Sequence, residues 1–213
     1  KAISRVGVGV DCIDLQSSNE HGVKIFITSD KPSVAVAELC ISNMISLLRH
    51  TLQMSNELKS NHWNPIQGRE LRSCIVGIIG VGSIGKELIK RLDAFGSKII
   101  GYGRTWNDEF SNQYNIDRKS IKEIFELSDI ITIHLPLTSE TRGLIGKEFI
   151  NLAKNDALIL NTSRAGVIDN FALAQAISEK NIKAAVDVFD EDRDPYPYSD
   201  IDGVILTPHI ASH

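Results

Sequence analysis

Short apolar runs alternate along the chain with segments whose apolar residues recur at helical spacing. The apolar runs predict strands at residues 1–6, 23–27, 74–80, 97–102, 129–134, 156–161, 182–187 and 203–207. The other segments predict helices at residues 11–20, 34–59, 83–95, 119–127, 147–152 and 170–179. Such alternation predicts an α/β fold with a doubly wound parallel sheet. The runs IVGIIG, IITIHL and ALILNT are apolar on both faces, which is typical of central strands covered by helices on both sides.

A long helix predicted at residues 34–59 separates the first βα unit from the main series of strands and helices. We therefore expect residues 1–30 to be the remaining part of a second domain, incomplete in this chain. Residues 31–207, including the long helix, then form the main domain, and residues 208–213 return towards the second domain.

Composition restricts the classes of function that are open to the chain. Of its 213 residues, 42% are hydrophobic and 23% are charged, as in an ordinary globular protein. The net charge of −4 argues against a nucleic-acid-binding surface, and no apolar run is long enough to predict a membrane span. The three cysteines are odd in number, far apart and form no C-x-x-C, so we expect buried thiols in a reducing compartment, a cytoplasmic location and no metal site. Because the chain begins with lysine and ends at PHIASH, we expect a fragment of a longer protein.

The stretch CIVGIIGVGSIGKELIKRL fits two different nucleotide-binding motifs. Gly80, Gly82 and Gly85 form G-x-G-x-x-G, whereas Gly80 through Lys86 form G-x-x-x-x-G-K, most of a P-loop. A P-loop needs Ser or Thr after the lysine to hold Mg²⁺, but this chain has Glu87 there. Only the first motif requires Gly82. We therefore predict a dinucleotide-binding domain of the Rossmann type.

The residue that binds the adenosine ribose is expected at the end of the next strand, KIIGYG. An Asp or Glu about twenty residues after the glycines favours NAD at that position. The chain has Gly103, Arg104 and Thr105 there, and no acid before Asp108. An arginine without a neighbouring acid suits a 2′-phosphate, so we expect NAD or NADP with a slight preference for NADP.

Three polar segments, NTSRAGVID, VDVFDED and TPHIAS, follow apolar runs in the second half of the chain. Ligands of open parallel sheets bind beyond the carboxyl ends of the strands, so Arg164, Asp192 and His209 are expected to converge there. An arginine can bind a carboxylate in a bidentate pair, a histidine can transfer a proton near neutral pH, and an acid can orient its ring. Hydride transfer on a 2-hydroxy acid uses one residue of each kind.

Seven segments, in order, carry a resemblance that spans nearly the whole chain: RVGVGVDCIDL, SVAVAEL, VGIIGVGSIG, HLPLTSETRGLI, NTSRAGVID, VDVF and LTPHIAS. Together they are similar to the signatures of the D-isomer-specific 2-hydroxyacid dehydrogenases. Within that family, the chain most resembles the phosphoglycerate-dehydrogenase-like members.

The resemblance implies a role for each matching residue. Arg164 would bind the substrate carboxylate and carbonyl, His209 would be the acid/base, and Asp192 would orient His209. The backbone at Val8 and Gly9 would bind the substrate carboxylate. The cofactor would contact Gly80, Gly82, Ser83, Ile84, Gly85, Arg104, Thr105, Leu135, Pro136, Thr162, Ser163 and Asp187, the last of which would receive the nicotinamide carboxamide.

The chain departs from the family pattern at four points. Asp192 stands in place of a glutamate, Ala165 in place of a glycine, and Gly103 with Arg104 in place of the ribose-binding acid. The family also has further segments before and after the matching region, which complete its substrate domain. The shorter acid matters because a displacement of about 1 Å can cost about 100-fold in rate.

The leading hypothesis is an NAD(P)-dependent dehydrogenase that moves a hydride between nicotinamide and C2 of a D-2-hydroxy or 2-keto acid. Arg5, beside the expected carboxylate-binding loop, would suit 3-phosphoglycerate, and glyoxylate or hydroxypyruvate reduction is the alternative. A nucleotide-sensing, corepressor-like member with little turnover and a formate- or phosphite-type dehydrogenase also stay open. The long helix and Trp63 suit a two-fold interface, so we expect a homodimer with no nucleic-acid or membrane partner.

Overall fold

The strands predicted from the apolar runs are all present, with bounds that differ by at most two residues within the described part of the chain. The computed structural model describes residues 1–5, 9–10, 13–27, 32–189 and 195–212. The strands are β1 (Ala2–Arg5), β2 (Lys24–Ile27), β3 (Ile75–Ile79), β4 (Lys98–Tyr102), β5 (Asp117–Arg118), β6 (Ile130–Ile133), β7 (Leu158–Asn161), β8 (Lys183–Val186) and β9 (Val204–Leu206). The helices are α1 (Leu15–Glu20), α2 (Ser33–Arg49), α3 (Thr51–Lys59), α4 (Ser83–Ala94), α5 (Asp108–Gln113), α6 (Ile121–Leu127), α7 (Lys147–Ile150) and α8 (Asn170–Lys180).

Seven strands form one parallel sheet in the order β5-β4-β3-β6-β7-β8-β9. The chain adds β4 and β5 on one side of β3, and it then returns to place β6 on the other side. The register pairs Gly77 of β3 with Ile100 of β4 and Ile131 of β6. The order of strands therefore reverses at β3, and such a point in an open α/β sheet is where ligands bind. The predicted doubly wound parallel fold is confirmed.

Two hydrophobic cores cover the two faces of this sheet. On one face, α2 and α4 pack against the central strands through Cys40, Met44, Leu88 and Leu92, which are fully buried. On the other face lie α6, α7 and α8, with Phe125, Leu173 and their neighbours buried. Because both faces are covered, β6 and β7 are buried along their whole length.

The prediction of one helix over residues 34–59 is wrong, because the structure has two helices that meet at His50. The backbone of His50 is left-handed, with a φ of 54°. The backbone N–H of Arg69 donates to the carbonyl of Leu48 at 3.0 Å, so a later segment takes an acceptor that a continuous helix would use itself. The helical spacing of apolar residues continues through His50, so the sequence pattern does not reveal the break between the two helices.

The region between β4 and α6 contains two elements that the sequence analysis did not predict. Helix α5 has six residues, and the side chain of Asn107 caps it by accepting from the backbone N–H of Phe110 at 2.8 Å. Strand β5 has two residues and extends the sheet beside β4. Both are too short to show a periodic pattern.

The first βα unit forms a separate two-stranded parallel sheet, in which Ile3 of β1 pairs with Ile25 of β2. The helix predicted from residue 11 begins at Leu15, and residues 11 and 12 lie outside the described residues. The division of the chain at residues 30 and 207 stays a prediction. In the part of the chain that the structure describes, no helix is long and apolar enough to cross a membrane.

Candidate cofactor and active site

A cleft of about 780 Å³ lies at the carboxyl ends of β3, β4 and β6. Predicted cofactor residues that line it are Gly80, Gly82, Ser83, Arg104, Thr105, Leu135 and Pro136. The sequence analysis missed other lining residues, among them Lys86, Trp106, Phe110, His134 and Glu140. The cleft therefore lies at the position where the strand order predicts a ligand, and it collects residues from three separate loops.

The glycines of the G-x-G-x-x-G segment fill different structural needs. Gly80 has a φ of 107°, and a Cβ there would lie 2.6 Å from the carbonyl oxygen of His134. A Cβ on Gly85 would lie 2.5 Å from the carbonyl oxygen of Gly80. Packing and backbone conformation within the protein thus account for the first and third glycines.

Gly82 differs, because nothing in the described part of the chain requires a glycine there. Its φ is −90°, which any residue adopts, and a Cβ at this position would meet no atom of the described residues within 4 Å. Gly82 is also the N-cap of α4, and no side chain caps the helix there. The free N–H groups of the first turn, with Ser83 and Ile84 among them, therefore face open space, where a pyrophosphate fits.

The adenosine side of the cleft is formed by the turn after β4. Gly103 is buried, and a Cβ there would lie 3.1 Å from the carbonyl oxygen of Thr105. Arg118 Nη2 donates to the carbonyl oxygen of Gly103 at 3.3 Å and so holds the turn. Arg104 Nη1 lies 3.1 Å from Glu140 Oε2, in an ion pair between exposed side chains. At the position of the expected ribose-binding acid, the chain thus has a tight turn at Gly103, followed by Arg104 in an ion pair with Glu140.

The polar segment after β7 is shaped by a buried asparagine. Asn161 Oδ1 accepts from the backbone N–H of Ser163 at 3.0 Å and from its hydroxyl at 2.8 Å. Asn161 Nδ2 donates to the carbonyl oxygen of Arg164 at 3.0 Å. Arg164 is half-buried, and its Nη1 donates to the carbonyl oxygen of Ser163 at 2.7 Å. The Asn161 side chain therefore sets the backbone that presents Arg164.

The segments after β8 and β9 are joined by Asp187, which is fully buried. Its carboxylate accepts from the Thr207 hydroxyl at 2.6 Å and from the backbone N–H groups of Ile210 and Ala211 at 2.9 and 3.0 Å. His209 lies between these donors, exposed, with a positive φ of 55°. Sparsely populated backbone conformations of this kind occur at functional sites, where the surrounding structure imposes them.

Polar side chains extend from Cys40 of α2 to His134, which lines the cleft. The Cys40 thiol lies 3.5 Å from Thr162 Oγ1, and burial raises the pKa of that thiol to about 11. His134 Nε2 lies 2.9 Å from Thr132 Oγ1, and His134 Nδ1 is buried without a hydrogen-bond partner among the described residues. Burial lowers the pKa of His134 to about 4, so this histidine is neutral at pH 7.

Several predicted site residues lie elsewhere or outside the described part of the chain. Ile84 and Gly85 belong to the first turn of α4; the side chain of Ile84 packs against the core, Gly85 is buried, and neither lines the cleft. Gly9 is half-buried after β1. Val8 and Asp192 lie outside the described residues, so their predicted roles stay predictions.

Taken together, the parallel sheet, the glycine turn and the free end of α4 define a dinucleotide-binding domain. The family model "D-isomer specific 2-hydroxyacid dehydrogenase, NAD binding domain" matches residues 41–211. The chain therefore belongs to the D-isomer-specific 2-hydroxyacid dehydrogenase family, and residues 41–211 are its NAD-binding domain.

Known proteins of similar sequence and structure agree with this assignment. The chain is 40% identical to a D-3-phosphoglycerate dehydrogenase of Methanocaldococcus jannaschii over 98% of this chain and 41% of the relative. It is 36% identical to a hydroxypyruvate reductase of Thermotoga maritima over 100% of this chain and 71% of the relative. A D-lactate dehydrogenase of Aquifex aeolicus, solved with NAD and lactic acid, superposes with a TM-score of 0.90 at 27% identity, over 99% of this chain and 69% of that structure. The chain thus spans about two fifths of the length of the first relative.

Proposed function

We propose that this chain is the cofactor-binding part of a dehydrogenase that acts on a D-2-hydroxy acid or the matching 2-keto acid. The observation that carries the proposal is the open space at Gly82 beside the uncapped N-terminus of α4. Neither the backbone conformation nor the packing of the residues that the structure describes needs a glycine there, whereas an approaching pyrophosphate does.

The proposed chemistry uses the segments after β7, β8 and β9, which are neighbours at the same edge of the sheet. Arg164 binds the carboxylate of the substrate with its guanidinium group. His209 donates a proton to the carbonyl oxygen during reduction and takes it back from the hydroxyl during oxidation. Asp192 holds the imidazole of His209 in position. The nicotinamide cofactor, when bound, supplies or accepts the hydride.

We further propose a slight preference for NADP over NAD. Support comes from the turn after β4, where Gly103 leaves no acid for the ribose and Arg104 lies at the mouth of the cleft. An arginine that can reach a 2′-phosphate offers it charge-assisted hydrogen bonds.

The cofactor proposal is tested by calorimetric titration of NADH and NADPH into this chain. We expect both to bind, and NADPH to bind more tightly. Absence of binding by either nucleotide would contradict the proposed function itself, whereas tighter binding of NADH would remove only the NADP preference.

The substrate proposal rests on the family and on the names of the relatives, which include a phosphoglycerate dehydrogenase and a hydroxypyruvate reductase. Turnover is measured on the longest natural polypeptide that contains this chain, because the first relative is longer. NAD(P)H oxidation is followed with hydroxypyruvate, glyoxylate and pyruvate, and NAD(P) reduction with 3-phosphoglycerate and glycerate. A higher rate of NAD(P) reduction with 3-phosphoglycerate than with glycerate would support a phosphorylated substrate bound near Arg5. Equal rates with the two acids would exclude that role for Arg5.

The role of His209 is tested in the same assay by His209→Asn, with His21→Asn as the matched control. Both histidines are exposed, but His21 ends α1 in the first βα unit and does not line the cleft. We expect His209→Asn to lower kcat by about 10²- to 10⁴-fold with no change in the Kd for NADH. The control keeps full turnover. Full turnover in His209→Asn would exclude His209 as the acid/base.

We also propose that the protein is a homodimer formed through α3 and the segment after it. Helix α3 has no buried residue, and Leu52 and Leu58 are each 54% exposed. Trp63 is 84% exposed. Analytical ultracentrifugation of Trp63→Glu tests this proposal. The control is Phe171→Glu, because Phe171 is also exposed (63%) but lies on α8, outside the proposed interface. The dimer is expected to dissociate only in Trp63→Glu, and a monomeric parent chain would contradict the proposal.

A further inference from the structure

The ion pair between Arg104 and Glu140 joins two loops that are distant in sequence. Arg104 follows β4, and Glu140 lies in the loop after β6. Arg104 Nη1 and Glu140 Oε2 are 3.1 Å apart, and the two side chains are 87% and 73% exposed. Both residues line the cofactor cleft.

The strand order shows what this pair spans. β4 and β6 are the two neighbours of β3, one on each side. Neighbouring strands are about 4.8 Å apart, so the loops that carry the pair start roughly 10 Å apart. The turn at Gly80 and Gly82 leaves β3 between them. The ion pair therefore reaches over the carboxyl end of β3, across the mouth of the cleft.

The charged residues that line the cleft show which cation is near the turn after β4. Among the described residues that line the cleft, Lys86 and Arg104 are the cations, and Glu140 is the carboxylate. Lys86 Nζ lies 5.2 Å from the centre of the Phe110 ring and is drawn towards α5. Arg104 is thus the cation at the turn after β4, and its guanidinium already has a carboxylate partner.

We propose that Glu140 weakens the binding of NADP by competing with its 2′-phosphate for Arg104. This inference rests on the proposed function, because it assumes that the cleft binds the adenosine half of the cofactor. The Glu140 carboxylate accepts from Arg104 Nη1, so a 2′-phosphate that binds this edge of the guanidinium must displace it. NAD has a neutral 2′-hydroxyl in place of the phosphate. That hydroxyl does not compete with the carboxylate for Arg104, so NAD binding leaves the ion pair intact.

The size of the effect follows from the exposure of the pair. Ion pairs between exposed side chains are weak and screened by salt, and breaking one changes an equilibrium by about two- to fivefold. Glu140 therefore restrains the preference for NADP without abolishing it. Its removal is expected to tighten NADPH binding by about that factor at low salt, and by less as salt is added.

The experiment is a calorimetric titration of NADPH and of NADH into the parent chain and into Glu140→Gln. Glu126→Gln is the matched control, because Glu126 Oε1 forms an exposed ion pair with Lys122 at 3.8 Å on α6, outside the cleft. We expect Glu140→Gln to tighten NADPH binding by about two- to fivefold with no change for NADH. The control variant should bind both nucleotides as the parent does.

A second pair of variants tests whether Glu140 acts through Arg104. In an Arg104→Gln background there is no guanidinium to compete for, so the further change Glu140→Gln should leave NADPH binding unchanged. If the same tightening persists in that background, Glu140 acts by direct repulsion and the competition is overturned. An unchanged ratio of NADPH to NADH affinity in Glu140→Gln also overturns it, while leaving the cofactor site itself in place. Failure of both nucleotides to bind the parent chain would instead remove the proposed function together with this inference.

Discussion

The hydroxyl of Thr207 donates to the buried carboxylate of Asp187 at 2.6 Å, and this contact ties the end of β9 to the end of β8. The same carboxylate accepts from the backbone N–H groups of Ile210 and Ala211. His209 lies inside the loop that these three bonds close. Asp187 therefore supports the segment that carries His209. This role is additional to the contact between Asp187 and the nicotinamide carboxamide that the family resemblance implies.

Replacing Thr207 tests whether this hydroxyl positions His209. Thr207→Val keeps the shape of the side chain but removes the donor, so we expect the free energy of unfolding to fall by about 1.5–3 kcal/mol. Thr207→Ser keeps the donor and should lose much less. Urea denaturation measures both changes. If the loop positions His209, kcat also falls in Thr207→Val while the Kd for NADH stays constant, and equal kcat values in the two variants would contradict this.

The glycine motif yields a prediction that separates ligand binding from folding. The methyl group of Gly82→Ala would meet no atom of the described chain within 4 Å, so we expect its free energy of unfolding to change by less than about 1 kcal/mol, while NADH binding weakens at least about tenfold. Gly85→Ala is the matched variant, because its Cβ would lie 2.5 Å from the carbonyl oxygen of Gly80. That variant should lose about 1–3 kcal/mol of stability. Unaltered NADH binding by a folded Gly82→Ala would contradict a pyrophosphate site at this turn.

Most of the fold could be predicted because each central strand is an uninterrupted apolar run and each long helix has a single apolar face. Strand β3, for instance, is the run IVGII, and its last four residues are buried. The exceptions have specific causes. Helix α5 and strand β5 are too short for a period to show, and the break at His50 depends on the carbonyl of Leu48, which is bound by a residue twenty-one positions later, Arg69.

The candidate site could be predicted where a local motif marks it, as at Gly80 and Gly82. Residues that reach the site only through tertiary contacts carry no motif in the local sequence. Glu140 belongs to a polar loop and reaches Arg104 only because β4 and β6 flank β3. Asn161 could have been noticed as an asparagine at the end of a strand, since such side chains commonly bind nearby backbone groups.

The pH dependence of stability offers a test of His134, which lines the cleft and whose Nδ1 atom is buried. Burial lowers the pKa of His134 from 6.5 to about 4. Between these pH values the unfolded chain binds a proton at this residue and the folded protein does not, so stability falls as pH decreases from about 6.5 to about 4. Above that range the residue is neutral in both states and contributes no pH dependence.

Comparison with His134→Gln isolates this contribution. Both proteins are unfolded in urea between pH 4.5 and pH 8, and the difference between their free energies of unfolding is plotted against pH. We expect a constant difference above about pH 7, and below it a steeper loss in the parent chain of at most about 3 kcal/mol. A difference that stays flat through acidic pH would show that His134 takes up its proton in the folded protein.

The break between α2 and α3 is tested by two substitutions at His50. Its imidazole lies 3.4 Å from Lys183 Nζ, and both His50→Gly and His50→Ala lose that contact, so the difference between the two variants reports on the backbone alone. At a φ of 54°, glycine avoids the strain that a Cβ brings, and His50→Gly should be the more stable variant by roughly 0.5–1 kcal/mol. Within a continuous helix the order would reverse, because alanine is favoured over glycine there by about 1 kcal/mol. Urea denaturation of the two variants therefore distinguishes two helices from one by the sign of a single difference.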